Sequence, residues 1–185
     1  MRIDRNIRVL GIDDSPKGSG GKVLVAGVVC RGGIIEGVLS THTSFDGDDG
    51  TRKTIAMLER SRFAEQVKAV MLNSVMLGGL NVVDIGKVSE RLGVPVIAAT
   101  RRLPRMEKVK KAISHVKNGR SKLRRLAAAG ESAAFDVNGT TRFAQFAGAS
   151  KEEVQGIFDA VGLEPVRLAH IIASGIVTGE SKGRL

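Results

Sequence analysis

The chain contains no tryptophan and no tyrosine, and its aromatic content, 3% of residues, is phenylalanine alone. That scarcity argues against a base-stacking platform of the single-strand-binding or RNA-recognition kind, which needs several aromatic faces. A single cysteine, Cys30, lies inside the apolar run KVLVAGVVC. No intrachain disulfide is available to it, and it reads as a small buried hydrophobe in a reducing interior. No apolar run approaches the length of a membrane span, and the N-terminal MRIDRNIR lacks the apolar stretch of a signal peptide. The expected location is therefore the cytoplasm, with no membrane partner. Negative charge is also the minority: 19 acidic residues face 29 basic ones, for a formal charge of +10. The excess points to an anionic partner, with nucleic acid as the usual candidate and a membrane surface or simple solubility as plainer readings. Length and a 42% hydrophobic content fit one domain over residues 1–185.

Three apolar runs open the chain: Ile7 to Ile12, Lys22 to Cys30 and Ile34 to Thr43. The glycine-rich SPKGSGG and the pair Gly32-Gly33 separate them. Links this short allow only antiparallel pairing, so a meander is expected. Thr51 to Gln66 has helical spacing, Val67 to Asn73 reads as a buried strand, Val82 to Leu92 as a helix ending at Gly93, and Val96 to Ala99 as another buried strand. Helical crossovers imply parallel pairing of these strands. Arg101 to Leu126 reads as mostly helix, broken at Asn118-Gly119, and Phe143 to Ala147 as an edge strand. Ser150 begins a helix with Glu153 completing a capping box, and Glu164 to Val177 forms a last helix with Pro165 in its first turn. The tail GESKGR favours no fixed structure. An antiparallel meander running into parallel βα units, with flanking helices, is the layout of a ribonuclease-H-like α/β fold, and a generic α/β sandwich shares most of it.

The acidic residues fall in three places. VLGIDDSP ends the first strand on Asp13 and Asp14. Side chains alternate along a strand, so only one of the two faces a given cleft. Asp13 is the functional candidate, while Asp14 divides evenly between a site and initiation of the Ser-Pro turn. SFDGDDGT carries Asp46, Asp48 and Asp49 ahead of the first helix but lacks the further ligands of an EF-hand. One of the three would cap that helix. GGLNVVDIG offers Asn81 as an N-cap and Asp84 in the first turn of the second helix. The carboxyl ends of central strands build the sites of open α/β sheets, so Asp13, Asp49 and Asp84 are expected around one cleft. An oxygen-rich group without cysteine suits Mg²⁺ or Mn²⁺. In a basic protein it reads as a phosphodiester site.

Arg101 and Arg102 follow a strand whose end should open on that cleft, and the lysines beyond them need be no more than a solvated helix face. Arg167 and His170 share one helix face at i and i+3. His170 is suited to protonating a leaving group or contacting phosphate, against the plainer reading of a hydrogen-bonded core histidine.

Together GIDDSP, SFDGDDGT, GGLNVVDI, GVPVIAATRR and EPVRLAHIIASG resemble an archaeal family related to endonuclease V, the endonuclease dU branch. The resemblance spreads over nearly the whole chain. It implies a ribonuclease-H-like fold, Mg²⁺-dependent cleavage of DNA carrying deoxyuridine or similar deaminated bases, and a role in DNA repair. Asp13 looks like the first-strand metal aspartate of endonuclease V. Asp46 and Asp49 match the branch's DG-x-D-x-T pattern, and one of them stands for the endonuclease V glutamate. Asn73-Ser74 occupies the place of that family's second metal aspartate, and its strand-separating wedge has no counterpart. The expected roster is Asp13, Asp46, Asp49 and Asp84 for catalysis, with Asp13, Asp49 and Asp84 on the metal. Arg101, Arg102, Arg167, Asn81 and His170 are the expected contacts to DNA or RNA. Two rivals remain: a nucleic-acid-binding protein without cleavage, for which Asn73 speaks, and a small-molecule phosphate enzyme.

Overall fold

Continuous β-branched and apolar runs build the centre of the sheet, and alternation of their side chains sorts the helices to its two faces. The computed structural model describes residue 4, residues 6–103 and residues 105–181. The chain runs β1 (Arg8–Asp14), β2 (Lys22–Arg31), β3 (Ile34–Ser44), α1 (Gly50–Glu59), β4 (Ala69–Leu72), α2 (Ile85–Leu92) and β5 (Val96–Thr100). It continues through α3 (Met106–Ser114), α4 (Gly119–Ala128), β6 (Ala133–Val137), β7 (Thr140–Ala147), α5 (Lys151–Val161) and α6 (Glu164–Thr178). One seven-stranded sheet has the order β3-β2-β1-β4-β5-β7-β6. The first three strands are the expected antiparallel meander, and β4 and β5 pair parallel to β1 and to each other.

Leu10 and Ile12 of β1 join one apolar cluster with Leu58 of α1, Val88 of α2, Ile113 of α3 and Leu126 of α4. Val9 faces the other way, with Val154 and Phe158 of α5 and Val166 of α6. Gly11 lies on that second face, where a Cβ would stand 2.1 Å from the carbonyl carbon of Pro165 and 2.5 Å from the nitrogen of Val166. Only a residue without a side chain lets α6 approach β1 this closely. Among the described residues no single helix is long and apolar enough to cross a membrane.

Four elements differ from the sequence reading. The first helix stops at Glu59 rather than Gln66. The Ser61 hydroxyl donates to the Leu58 carbonyl and accepts from the Phe63 amide, and this turn buries Phe63. The second helix begins at Ile85 rather than Val82, because Val83 bonds back to Val75 and the Asp84 side chain accepts from the Lys87 amide at 2.9 Å. Asp84, not Asn81, is therefore the N-cap. The strand read as Phe143 to Ala147 is longer, Thr140–Ala147, and lies inside the sheet between β5 and β6. β6 takes the edge, joined to β7 through Asn138-Gly139, both at positive φ (54° and 73°) in a two-residue turn. The basic segment divides at Asn118-Gly119 as expected, into α3 and α4. The GESKGR reading beyond Ser181 lies outside the described residues.

Gly11→Ala should destabilise the fold by about 3 kcal/mol or more, since the obstacle is backbone that cannot repack. Denaturant unfolding measures this, and a loss below about 1 kcal/mol would contradict the packing described.

Candidate functional site: a buried acid and imidazole pair

β1 and β4 run side by side, and β4 ends with Leu72 level with Ile12, two residues before β1 ends at Asp14. The Asn73 amide nitrogen then donates to the Ile12 carbonyl at 3.3 Å, which fixes Asn73 beside the end of β1. Asp13 is 3% exposed there, on the α6 face. Its Oδ2 lies 2.9 Å from Nδ1 of His170 and accepts from Nδ2 of Asn73 at 3.3 Å. Burial pushes the Asp13 carboxyl up to about 6, and the charge of Asp14 adds to the rise against the opposing pull of His170. An ionised Asp13 can only accept from Nδ1–H of His170, which leaves Nε2 outside the pair. Burial also raises the Asp14 carboxyl, although the Gly78 amide donates to it at 3.1 Å. Strand alternation is confirmed: Asp13 faces α6, and Asp14 reaches the loop between β4 and α2.

The acidic loop before α1 is a structural knot. Oδ1 of Asp46 accepts from the Leu80 amide at 2.7 Å, its backbone N–H donates to Gly78, and Nζ of Lys122 donates to its carbonyl at 2.5 Å. Asp48 accepts from Arg125 at 2.8 Å and from Asn118. Gly78 and Gly79, both at positive φ, bring their backbone against Thr43 and Asp46, where a Cβ would approach to 2.8 and 2.4 Å. Asp49 accepts from the Thr43 hydroxyl at 2.6 Å, the Ser44 amide at 3.2 Å and Asn81 at 2.8 Å. Burial alone would raise the Asp49 carboxyl, but these donors outweigh it and hold it below its ordinary value.

The gathering of Asp13, Asp49 and Asp84 around one cleft is therefore not what the fold makes. Asp49 turns inward to β3 and Asn81, and Asp84 caps α2 beside a different cavity. Among the described residues no three His, Cys, Asp or Glu side chains are grouped to hold a metal ion. Asn81, expected to contact substrate, is fully buried. It donates to Thr43 and Asp49 and accepts from the Gly50 amide at 3.0 Å, tying the start of α1 to the end of β3. His170 does meet Asp13. Arg101 and Arg167 line one cavity of about 600 Å³ with Arg142, a residue the sequence reading passed over. Arg167 is paired with Glu164 through a bond of 2.7 Å, and Arg102, exposed, lies outside that cavity lining. Lys122, fully buried on a helix of otherwise ordinary basic pattern, was also missed.

An antiparallel meander continued by parallel strands, with an aspartate at the end of its first strand, defines the ribonuclease-H-like class. Human endonuclease V, 13% identical, superposes with a TM-score of 0.59 over 94% of this chain and 85% of its own. Endonuclease V of Bacillus subtilis, 9% identical, gives 0.54 over 93% and 81%. The chain belongs to the Endonuclease dU family, whose profile matches residues 5–177. A UPF0215 protein of Methanosarcina mazei is 38% identical over 192 aligned positions, covering 100% of this chain and 97% of the relative. A crystal structure of an Archaeoglobus fulgidus protein of unknown function, 36% identical, superposes with a TM-score of 0.85 over 92% of this chain and 98% of its own.

A carboxyl raised by folding stabilises the fold when neutral, so its contribution is complete below about pH 4 and is lost as pH rises through about 6. In chelator, Asp13→Asn should therefore raise Tm by about 5 °C near neutral pH and leave it unchanged near pH 4. A thermal melt showing no gain at neutral pH would contradict the burial cost assigned to Asp13.

Proposed function

We propose that this protein is a metal-dependent endonuclease acting on DNA that contains deaminated bases, with the cut made at Asp13 and His170. The observation that carries the reading is the buried carboxylate held by an imidazole at the carboxyl ends of two parallel strands, with Arg167 of an arginine-lined cavity one turn before that imidazole on α6. Family membership supports it. So does the fold shared with a Ciona intestinalis endonuclease V in complex with DNA containing an inosine, 13% identical with a TM-score of 0.51.

Two adjacent carboxyls raised by burial fit a hard divalent cation, because each is stabilised in its charged form by such a neighbour. Asp13 would hold Mg²⁺ or Mn²⁺, with the charge of Asp14 adding to the attraction, and such an ion needs few protein ligands when water and substrate phosphate complete its oxygen shell. When bound, the ion supplies Lewis acidity and an activated water. Asp13 fixes the tautomer and orientation of His170, whose Nε2 then exchanges a proton with the attacking water or the departing oxygen. Arg101 and Arg167 hold the phosphodiester, and Arg167 lies one helical turn from His170, about 4.5 Å along the axis. Asn73 favours a second reading. An amide that donates to Asp13 stands where a second carboxylate would share the cation, as suits a protein that binds strands without cutting them.

Labelled strands containing uracil, hypoxanthine or only normal bases, incubated with Mg²⁺, Mn²⁺ or chelator, decide between the two. The damaged strands should be cut with metal and left intact in chelator. Asp13→Asn should lower the rate by about 100-fold or more, while Asp84→Asn stays within a few-fold. Arg101→Gln and Arg167→Gln should each weaken strand binding and reduce its log–log salt slope by roughly 1. Absence of cleavage, or cleavage undiminished by Asp13→Asn, would overturn the nuclease reading, and salt-sensitive binding without cleavage would establish the second.

A further inference from the structure

On the face of the sheet opposite α6, a second cavity of about 770 Å³ opens between α1, α2 and α4. Its volume is that of an ordinary small-ligand site. Its walls carry Arg52 and Lys87 from the first turns of α1 and α2, Arg91 from the end of α2, and Arg124 and Arg125 from α4. Two of these cations are already neutralised: Arg125 by Asp48 at 2.8 Å and Arg91 by Glu59 at 2.7 Å. The Asp84 carboxylate, the third acid of the lining, accepts from the Lys87 amide as the cap of α2. Arg52, Lys87 and Arg124 have no anionic partner among the described residues, and each is exposed.

A solvated helix face would spread such charges outward over one element. Here three separate helices bring unpaired cations to the rim of one concavity, where they repel one another; the Asp84 carboxylate offsets at most one of them, and an incoming anion relieves the rest. The first turns of α1 and α2 add partial charge of the same sign. Guanidinium forks match phosphate oxygens in pairs, and the cavity also has an apolar patch, Ile55, Ala56 and Ala128, able to take the flat face of a base or sugar. We propose that the cavity between α1, α2 and α4 binds a phosphate-bearing nucleotide, either free or as part of a nucleic-acid strand. This site lies across the sheet from the pair of Asp13 and His170 and requires no cleavage, so it stands whether or not the protein is a nuclease.

Binding is measured in chelator with three probes: inorganic pyrophosphate, ATP and a labelled single strand of normal bases. The combined variant R52Q/K87Q/R124Q, which removes only exposed and unpaired charges and should melt as wild type does, should bind at least about tenfold more weakly. Ala128→Trp, which fills the cavity without altering charge, should show a similar loss. Loss confined to ATP and pyrophosphate identifies a free nucleotide as the ligand. Loss on the strand, with its log–log salt slope reduced by roughly 2 to 3, identifies backbone phosphates. Failure of all three probes to saturate, or affinities unchanged in both variants, overturns the proposal.

Discussion

The closeness of α6 to β1 is the contact on which the candidate site rests. Because Gly11 offers no side chain, the backbone of Pro165 and Val166 sits directly on the strand. His170, a little over one turn further along α6, then reaches over Asp13 at the strand's end. The same approach completes the dry layer containing Val9, Phe158 and Val166, and the burial of Asp13 against α6 makes it costly to ionise. A helix held farther away would leave a hydrated carboxylate and a distant imidazole. Packing geometry and electrostatics thus have one origin.

Residues of a single type serve opposite purposes in this chain. Asp13 is raised because burial and the charge of Asp14 outweigh its bonds to His170 and Asn73, whereas the hydroxyl and N–H donors around Asp49 outweigh its burial and lower it. The difference lies in what surrounds each carboxylate, since both lie at strand ends or the loops that follow them. Asp46, Asp48 and Asp49 join the start of α1 to the Gly78–Leu80 loop, to Asn81 and to α4 through Lys122 and Arg125. Their charge stabilises a junction of loops that would otherwise carry orphaned backbone groups. The positive charge is divided as well, with one arginine-lined cavity beside α6 and one between α1, α2 and α4.

Much of this was legible from local chemistry. The antiparallel meander followed from links too short for any other pairing, the capping box at Ser150 and Glu153 from spacing alone, and the division of Asp13 from Asp14 from strand alternation. Asn138-Gly139 was a legible hairpin signal that was overlooked, at the cost of β6 and of the interior position of β7. The roster of ligands failed for a different reason. Asn81 and Asp84 each had a sound local role as a cap, and which of them capped α2 depended on Val82 and Val83 being held extended against Val75 and Met76.

The sequence by itself determined the antiparallel pairing of the first three strands, the parallel sense of β4 and β5 and the face each of the two aspartates on β1 takes, because these follow from periodicity and from the reach of the connections. Tertiary structure alone decided which polar groups meet across distances of 30 to 157 residues, as with Asn81 and Asp49 at a separation of 32 and His170 and Asp13 at 157. A carboxylate's partner is chosen by packing, and packing is written in contacts rather than in neighbours along the chain.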